Sequence, residues 1–257
     1  MGAFRLIYRL PWMLLHLLVG LPPTLLSFIP FFKAIELGGR PLNVIMVNWW
    51  SGMTCRIFGL RPHITGEFEA GAQLVVANHI SWLDIQLLHS VSMMSFVAKA
   101  EIEKWPVVGF MASVGETVYH RRGSHDSASG VSAMMTQRLQ QGSKVIIFPE
   151  GGILPGDGVK RFHARLFAAA IESGVPVQPV MIRYRRDGNH YPRMTFLPGE
   201  HFIANFFRLL RQRPCVAELS VLRLIDSNNR QRRDLATASE AAVRAAFEQE
   251  NVDNSNG

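Results

Sequence analysis

The 257-residue chain is long enough to bury a full-sized core, and 48% of its residues are hydrophobic while only 18% are charged. Its net charge of +7 suits nucleic acid, anionic lipid or phosphorylated substrates, and the low proportion of charged residues favours lipid among the three. Its two cysteines, Cys55 and Cys215, have no metal-ligand spacing and indicate a reducing cytosolic compartment.

The first 35 residues form an apolar segment that differs from the rest of the chain. No charged residue lies between Arg9 and Lys33, so the segment just reaches the roughly 20 apolar residues that a spanning helix needs. Pro22-Pro23 should break it, and we expect two short helices, over about 7–20 and 24–35, lying in one leaflet of a membrane. The alternative is a single kinked spanning helix, because membrane helices tolerate proline.

From residue 41 onward the pattern is that of an α/β domain. A helix is expected over 43–58, and short apolar runs then alternate with stretches of helical spacing. The alternation predicts a mixed, mainly parallel central sheet flanked by helices, preceded by an N-terminal membrane-associated helical hairpin. Strands are expected at 73–77, 95–98, 117–119, 144–148, 177–184, 194–196 and 216–224, and helices at 82–92, 127–141, 161–173 and 234–249. The chain divides into a membrane-associated segment (1–40), an α/β domain (41–250) and a polar tail (251–257).

A histidine and a carboxylate follow one predicted strand, and a Pro-Glu-Gly turn (149–151) follows another. The run from Ser81 to Asp84 has the form of a capping box, so Ser81 should cap the next helix and Asp84 should lie in its first turn. A carboxylate bonded to one imidazole nitrogen fixes the tautomer and raises the basicity of the other nitrogen. The motif therefore predicts that His79 takes a proton from a hydroxyl, although histidines beside helix caps also serve structure alone.

The run 78–84 resembles the first motif of the glycerolipid (PlsC-like) acyltransferases, a histidine and an aspartate separated by four residues. Three later stretches resemble the other motifs of that family in the same order. They are Gly115-Glu116-Thr117-Val118-Tyr119-His120-Arg121, Phe148-Pro149-Glu150-Gly151 and Val175-Pro176-Val177-Gln178-Pro179-Val180. Each motif alone is weak, but the ordered set covers about residues 70–185 and is specific.

The resemblance implies transfer of a fatty acyl group from a thioester, on acyl carrier protein or coenzyme A, to a lysolipid hydroxyl, with no further cofactor. His79 is then the general base, Asp84 orients it, and the hydroxyl oxygen attacks the thioester directly. Backbone N–H groups near Gly151 and Gly152 would hold the oxyanion, or these glycines serve only a tight turn. The substrate-binding residues that the resemblance implies are Asn78, Arg121, Glu150, Gly151, Gly152 and Lys160.

Two departures from the family pattern concern the acceptor. The third motif continues Gly152-Ile153-Leu154 where the family usually has Thr-Arg-Ser, and His120 stands where an aspartate is common. The missing arginine is one that the family is thought to use near the acceptor phosphate. The expected acceptor is 1-acylglycerol-3-phosphate, giving phosphatidic acid, with Arg121 supplying positive charge. A lyso-ornithine lipid is the alternative.

The resemblance also implies a location, on the cytoplasmic face of the inner (plasma) membrane and anchored through the N-terminal segment. Basic clusters at 183–186, 208–213 and 230–233 are expected to be solvated faces that contact anionic lipid or an acidic acyl carrier protein. The apolar stripe at 202–210 suits either membrane contact or core packing.

The competing hypothesis is a non-catalytic membrane- or lipid-binding protein. It predicts that changes at His79 and Asp84 are tolerated, and it leaves the motif order unexplained. Nucleic acid is not an expected partner, because aromatic and basic residues do not interleave as in RNA-binding proteins. A serine hydrolase would need a Gly-x-Ser-x-Gly elbow, which the sequence lacks.

Overall fold

The computed structural model of the protein describes residues 2–99, 118–120, 125–153 and 158–249. Within these residues, a mixed eight-stranded sheet forms the centre of the fold. The strands are β1 (Glu36–Leu37), β2 (Arg40–Pro41), β3 (Leu60–Thr65), β4 (Gln73–Ala77), β5 (Ser95–Lys99), β6 (Val118–His120), β7 (Lys144–Ile147), β8 (Val177–Arg186), β9 (Asn189–His190) and β10 (Cys215–Val221). Strands β1 and β2 form a separate antiparallel ribbon. The main sheet has the order β3-β10-β8-β4-β7-β5-β6, with β9 paired to the end of β8. Its ladders are parallel except β10–β8 and β8–β9, which confirms the predicted mixed, mainly parallel sheet.

Helices cover both faces of this sheet. They are α1 (Gly2–Leu26), α2 (Pro30–Lys33), α3 (Leu42–Phe58), α4 (Leu83–Val91), α5 (His125–Gln140), α6 (Ala168–Ser173), α7 (Phe202–Arg211) and α8 (Arg232–Gln249). Two consecutive side chains of β8 show which helix lies on which face. Tyr184 reaches the first turn of α4, whereas Arg183 donates to the carbonyl of Phe247 in α8. Helix α4 packs on α3 and α3 on α1, so α1 and α8 lie on opposite sides of the sheet.

The centre of the sheet positions the motifs. All five residues of β4 are buried, and β4 pairs with β7 on one side and β8 on the other. The parallel register aligns Val76 with Ile147, so the chain leaves β4 and β7 at the same edge. The loops that carry the first and third motifs therefore lie side by side.

The expected break of the N-terminal helix at Pro22-Pro23 is wrong. Residues Gly2–Leu26 form one continuous helical segment, with a π-helical stretch at His16–Gly20. The two prolines fall at the start of the α-helical stretch that follows, where a missing N–H costs little. The helical segment ends at Leu26, and α3 later returns antiparallel along α1, since Arg9 meets Phe58 and His16 meets Trp50. The returning arm of the hairpin is therefore α3.

Helix α1 presents its polar side to the protein and its apolar side outward. Buried positions recur every three or four residues, at Arg9, Met13, His16, Gly20 and Thr24. The outward side carries exposed large apolar residues, which include Phe4, Ile7, Trp12, Leu18 and Val19. The segment is long and apolar enough to cross a membrane.

Arg9 holds α1 to the domain. Its Nη1 donates to the carbonyls of Phe58 (3.2 Å), Leu210 (3.1 Å) and Gln212 (2.8 Å), at the C-terminal ends of α3 and α7. Helix C-terminal carbonyls lack partners within their own helix and carry partial negative charge, so a buried guanidinium satisfies both needs. Arg9 is therefore a buried anchor of α1.

Three other local predictions differ from the structure. The strand expected at 194–196 is replaced by a 3₁₀ turn at Pro192–Met194, and the helix expected at 161–173 is a 3₁₀ turn at Ala164–Phe167 continued by α6. The cluster 183–186 is not a solvated face throughout, because Arg183 is fully buried and paired with Glu218 (Nη2 to Oε2, 2.7 Å). The apolar stripe of α7 packs against α1, with Leu209 and Leu210 buried and Ile203 exposed.

Candidate active site

The carboxylate of Asp84 is the centre of the hydrogen-bond network in the first motif. Its Oδ2 accepts from the Nδ1 of His79 (2.9 Å), the N–H of Ile80 (2.7 Å) and the N–H of Ser81 (2.9 Å). The hydroxyl of Ser81 in turn accepts from the N–H of Leu83 (3.3 Å), which confirms the predicted capping box. Asp84 is fully buried, and this set of N–H donors suits an ionised carboxylate.

Tyr184 is a member of this network that the sequence analysis missed. It is fully buried on β8, and its hydroxyl donates to Oδ1 of Asp84 at 2.6 Å. Burial and the negative charge of Asp84 raise the pKa of Tyr184 well above its ordinary value, so the hydroxyl stays a donor. The sequence did contain a signal, because Tyr184 is the single tyrosine of the strand that continues from the fourth motif.

The imidazole of His79 is oriented on two sides. Its ring stacks on Phe148 with the ring centroids 3.8 Å apart and the planes 12° from parallel. In the neutral ring, the bond to Asp84 places the hydrogen on Nδ1 and leaves the lone pair on Nε2. Among the described residues Nε2 has no hydrogen-bond partner, and the side chain is 12% exposed. The arrangement presents a base to a small opening.

Glu150 joins the first motif to the loop that follows the third. Its Oε2 accepts from the N–H of His79 and its Oε1 from the N–H of Lys160, both at 2.8 Å. Burial raises the pKa of Glu150, and the two N–H donors partly offset this shift. Glu150 was expected to contact the acceptor hydroxyls, whereas in the structure both of its oxygens hold backbone.

The amide of Asn78 is engaged in the same way. Its Nδ2 donates to the carbonyl of Ile182 and its Oδ1 accepts from the N–H of Ile182, both at 2.8 Å. Asn78 is almost completely buried. This geometry favours a role in fixing the loop to β8 over the substrate contact expected from the sequence.

Gly151 forms the turn after β7. Its φ of +84° is costly for a residue with a Cβ, and its N–H donates to the carbonyl of Phe148 at 3.2 Å. That N–H is used within the turn, which leaves Gly152 as the remaining member of the expected oxyanion pair. The side chain of Lys160 is exposed beside Glu150. Arg121 lies outside the described residues.

Trp82 connects the first motif to α7. Its Nε1 donates to Oδ1 of Asn205 at 3.0 Å, and its ring packs edge-to-face on Phe58 and Phe202. Asn205 is fully buried and also donates to Glu200 (2.8 Å). The motif loop is thereby supported from the side that α1 and α7 cover.

The sequence is similar to those of several known proteins. A sequence model of the family described as Acyltransferase matches residues 61–183. The lyso-ornithine lipid O-acyltransferase of Pseudomonas aeruginosa is 36% identical over 207 residues, which cover 80% of each protein. The 1-acyl-sn-glycerol-3-phosphate acyltransferase of Neisseria gonorrhoeae is 41% identical over 111 residues, 43% of this chain and 44% of that protein.

A solved structure has the same fold. The 1-acyl-sn-glycerophosphate acyltransferase PlsC of Thermotoga maritima superposes with a TM-score of 0.75 at 19% sequence identity. The match covers 96% of this chain and 95% of that one. It therefore includes the N-terminal helices as well as the sheet.

Proposed function

The chain belongs to the PlsC-like acyltransferases, O-acyltransferases that add an acyl chain to a lysolipid, and on this premise we propose that its acceptor is a lyso-ornithine lipid. The observation that carries the proposal is the match to a lyso-ornithine lipid O-acyltransferase over 80% of both proteins. The 1-acyl-sn-glycerol-3-phosphate acyltransferase of Neisseria gonorrhoeae matches 43% of the chain. Ile153, standing where the family usually has an arginine for the acceptor phosphate, agrees with an acceptor other than a phosphate monoester. The proposal thus reverses the order of the two acceptors expected from the sequence.

In the proposed reaction, Nε2 of His79 removes the proton of the acceptor hydroxyl as its oxygen attacks the thioester carbonyl. The tetrahedral intermediate then expels the thiolate, and the imidazolium of His79 returns the proton to give a free thiol. Positioned proton transfer of this kind contributes about 10²- to 10⁴-fold to rate. The 2.9 Å bond from Nδ1 to Asp84 keeps the ring in the tautomer that this step needs and stabilises the imidazolium.

The surrounding residues hold the base in place. Phe148 fixes the ring plane, and Glu150 fixes the backbone of His79 by accepting its N–H. Asn78 ties the loop to β8. The N–H of Gly152 is the proposed donor to the oxyanion, and Lys160 and Arg121 are the proposed contacts for the polar head of the acceptor.

Members of the family are generally membrane-associated, and we place α1 in the cytoplasmic leaflet of the inner membrane. Phe4, Ile7 and Leu18 are each at least 70% exposed, and lipid removes this apolar surface from water at a gain of about 25 cal/mol per Å². The opposite side of α1 is docked through Arg9 and His16, which lipid could not solvate. The helix is therefore proposed to lie half in the membrane and half against the domain.

The experiment offers detergent-purified protein a lyso-ornithine lipid and 1-acylglycerol 3-phosphate side by side. Both acyl carrier protein and coenzyme A thioesters are supplied as donors, with His79→Ala as the blank. The proposal expects higher kcat/KM for the lyso-ornithine lipid and no turnover by a correctly folded His79→Ala. Preference for the phosphate acceptor would refute the acceptor assignment, and activity retained by His79→Ala would refute the base.

A further inference from the structure

The side-chain amide of Asn205 on α7 meets the loop of the first motif at Trp82. An indole has a single donor, and the Nε1–H of Trp82 is accepted by Oδ1 of Asn205 at 3.0 Å. Asn205 is fully buried, and it lies 123 residues from Trp82 along the chain, beyond all four motifs. The contact thus joins a motif residue to a helix that none of the motifs includes.

Two acceptors hold this amide in one orientation. Nδ2 of Asn205 donates to Oε2 of Glu200 (2.8 Å) and to the carbonyl of Thr195 (3.3 Å). If the two ends of the amide were exchanged, its oxygen would face those two oxygens and its NH₂ group would face the indole N–H of Trp82. The surrounding groups therefore keep Oδ1 directed at the motif loop.

Arg208 shows which of these bonds depends on Asn205. Its Nη2 donates to the same two oxygens, Oε2 of Glu200 at 2.8 Å and the carbonyl of Thr195 at 2.6 Å. If Asn205 is replaced by an apolar residue, both acceptors keep a donor from Arg208. The indole N–H of Trp82, by contrast, loses its acceptor. The contact that only Asn205 provides is therefore the one to Trp82.

Apolar packing surrounds the ring of Trp82 without fixing its direction. The rings of Phe58, Phe202 and Phe206 lie with centroids 5.1, 5.3 and 6.1 Å from that of Trp82. Hydrophobic burial is non-directional, whereas a hydrogen bond weakens steeply when its angle departs from linear. The bond to Asn205 is therefore the contact that sets how the indole is turned.

The position of Trp82 matters because its neighbours in the chain hold the candidate base. The N–H groups of Ile80 and Ser81, directly before it, donate to Oδ2 of Asp84, two residues after it. The same oxygen accepts from Nδ1 of His79. A displacement of Trp82 therefore shifts the backbone that sets the distance between His79 and Asp84, and misplacement by about 1 Å costs on the order of 100-fold in rate.

We propose that Asn205 is a positioning residue for acyl transfer, which acts through Trp82 on the geometry of His79 and Asp84. The assignment rests on the proposed function, in which His79 is the base. Asn205 has no exposed surface for a substrate to contact, so its effect falls on the rate of the chemical step rather than on substrate binding.

The test uses Asn205→Leu, Trp82→Phe and the double variant in the full-length, detergent-purified protein. Each single change leaves one polar group of the pair without its partner, which lowers stability. The double variant replaces both partners by apolar groups, so it recovers most of that stability but not the hydrogen bond. Stability and positioning are thereby separated.

The matched control is Asn48→Leu. Nδ2 of Asn48 donates to the carbonyl of His89, so this change also removes an amide that holds α4, but at the end of the helix away from the first motif. The kcat and KM for a lyso-ornithine lipid are measured at saturating thioester, with His79→Ala as the blank. Thermal unfolding is measured for every variant.

We expect kcat to fall about 10-fold in each single variant and KM to stay within about twofold. The double variant should have a Tm close to that of wild type and a kcat as low as that of the single variants, because both changes break the same bond. Asn48→Leu should lower Tm and keep kcat within about twofold of wild type.

A kcat that recovers together with Tm in the double variant would overturn the assignment, because the contact would then serve the fold alone. A wild-type kcat in folded Asn205→Leu, or an equal loss in Asn48→Leu, would overturn it as well. If the single variants do not fold, the double variant carries the test by itself. Wild type that transfers acyl groups to no lysolipid would instead refute the proposed function.

Discussion

The hydroxyl of Tyr184 offers a sharp test of how the proposed catalytic pair, His79 and Asp84, is positioned. Replacing Tyr184 by Phe keeps the buried ring and removes only the 2.6 Å hydrogen bond to Oδ1 of Asp84. A hydrogen bond to a charged group contributes about 1.5–3 kcal/mol, so a loss of that size in folding stability is expected. The other three bonds to Asp84 lie on Oδ2, so the carboxylate remains attached but its second oxygen loses a donor.

The catalytic consequence follows from the same geometry. A carboxylate free to rotate about its Oδ2 contacts holds the ring of His79 less firmly, and we expect kcat to fall about 10-fold, equivalent to 1.4 kcal/mol. The KM for the lysolipid should not change, because Tyr184 is fully buried. The control is Tyr191→Phe, which removes a phenol hydroxyl bonded to Gln212 outside this network.

A double-mutant cycle separates positioning from general destabilisation. Because Tyr184 acts through Asp84, Tyr184→Phe should have no further effect on kcat in an Asp84→Asn background. Steady-state kinetics of the four proteins, with thermal unfolding measured in parallel, provides the data. Additive losses in kcat, or a wild-type kcat in a destabilised Tyr184→Phe, would show that the hydroxyl serves the fold alone.

Three further predictions concern residues around the network. Arg9→Met should destabilise the protein by about 3 kcal/mol, because two buried carbonyls and one part-buried carbonyl lose their donor, and hydrogen exchange in α1 should accelerate. Unchanged exchange would contradict this anchoring role. The hydrogen bond from Arg208 lowers the pKa of Glu200 to about 2. The stabilisation that ionised Glu200 gives is therefore complete above pH 4.5 and is lost as the pH falls toward 2. Thermal unfolding should show that Glu200→Gln is less stable than wild type at pH 6, and that this difference in stability disappears as the pH falls from 4.5 toward 2. A difference that stays constant with pH would contradict the prediction. Glu150→Gln should lower kcat about 10-fold, because an amide offers one acceptor oxygen to two N–H groups. Full activity would refute the role of Glu150 in holding the backbone of His79 and Lys160.

Local sequence patterns determined the parts of the site that lie close together along the chain. The capping box from Ser81 to Asp84 brings the carboxylate back over its own loop, so the contact between His79 and Asp84 follows from residues five apart. The alternation of apolar runs with helical spacing likewise predicted the mixed sheet. Both depend on short-range geometry, which the order of residues specifies directly.

The same local reasoning failed where distant elements set the outcome. Pro22-Pro23 was expected to break a helix, but the π-helical stretch before it and packing on α3 keep α1 continuous. Arg9 marks only the boundary of the uncharged stretch in the sequence, although it bonds carbonyls about 50 and 200 residues away. A sequence pattern within a short window carries no information about contacts with residues that lie far away along the chain.

Strand pairing decided the rest of the site. Tyr184 reaches Asp84 across 100 residues, and Glu150 reaches His79 across 71, because β4 lies between β8 and β7 in one parallel register. A shift of one residue in β8 would exchange Tyr184 with Arg183 and place a charged side chain, instead of the phenol hydroxyl, beside Asp84. The sequence by itself therefore determined the contact between His79 and Asp84 and the fold class, whereas the residues that hold this pair in place were decided by the register of the sheet.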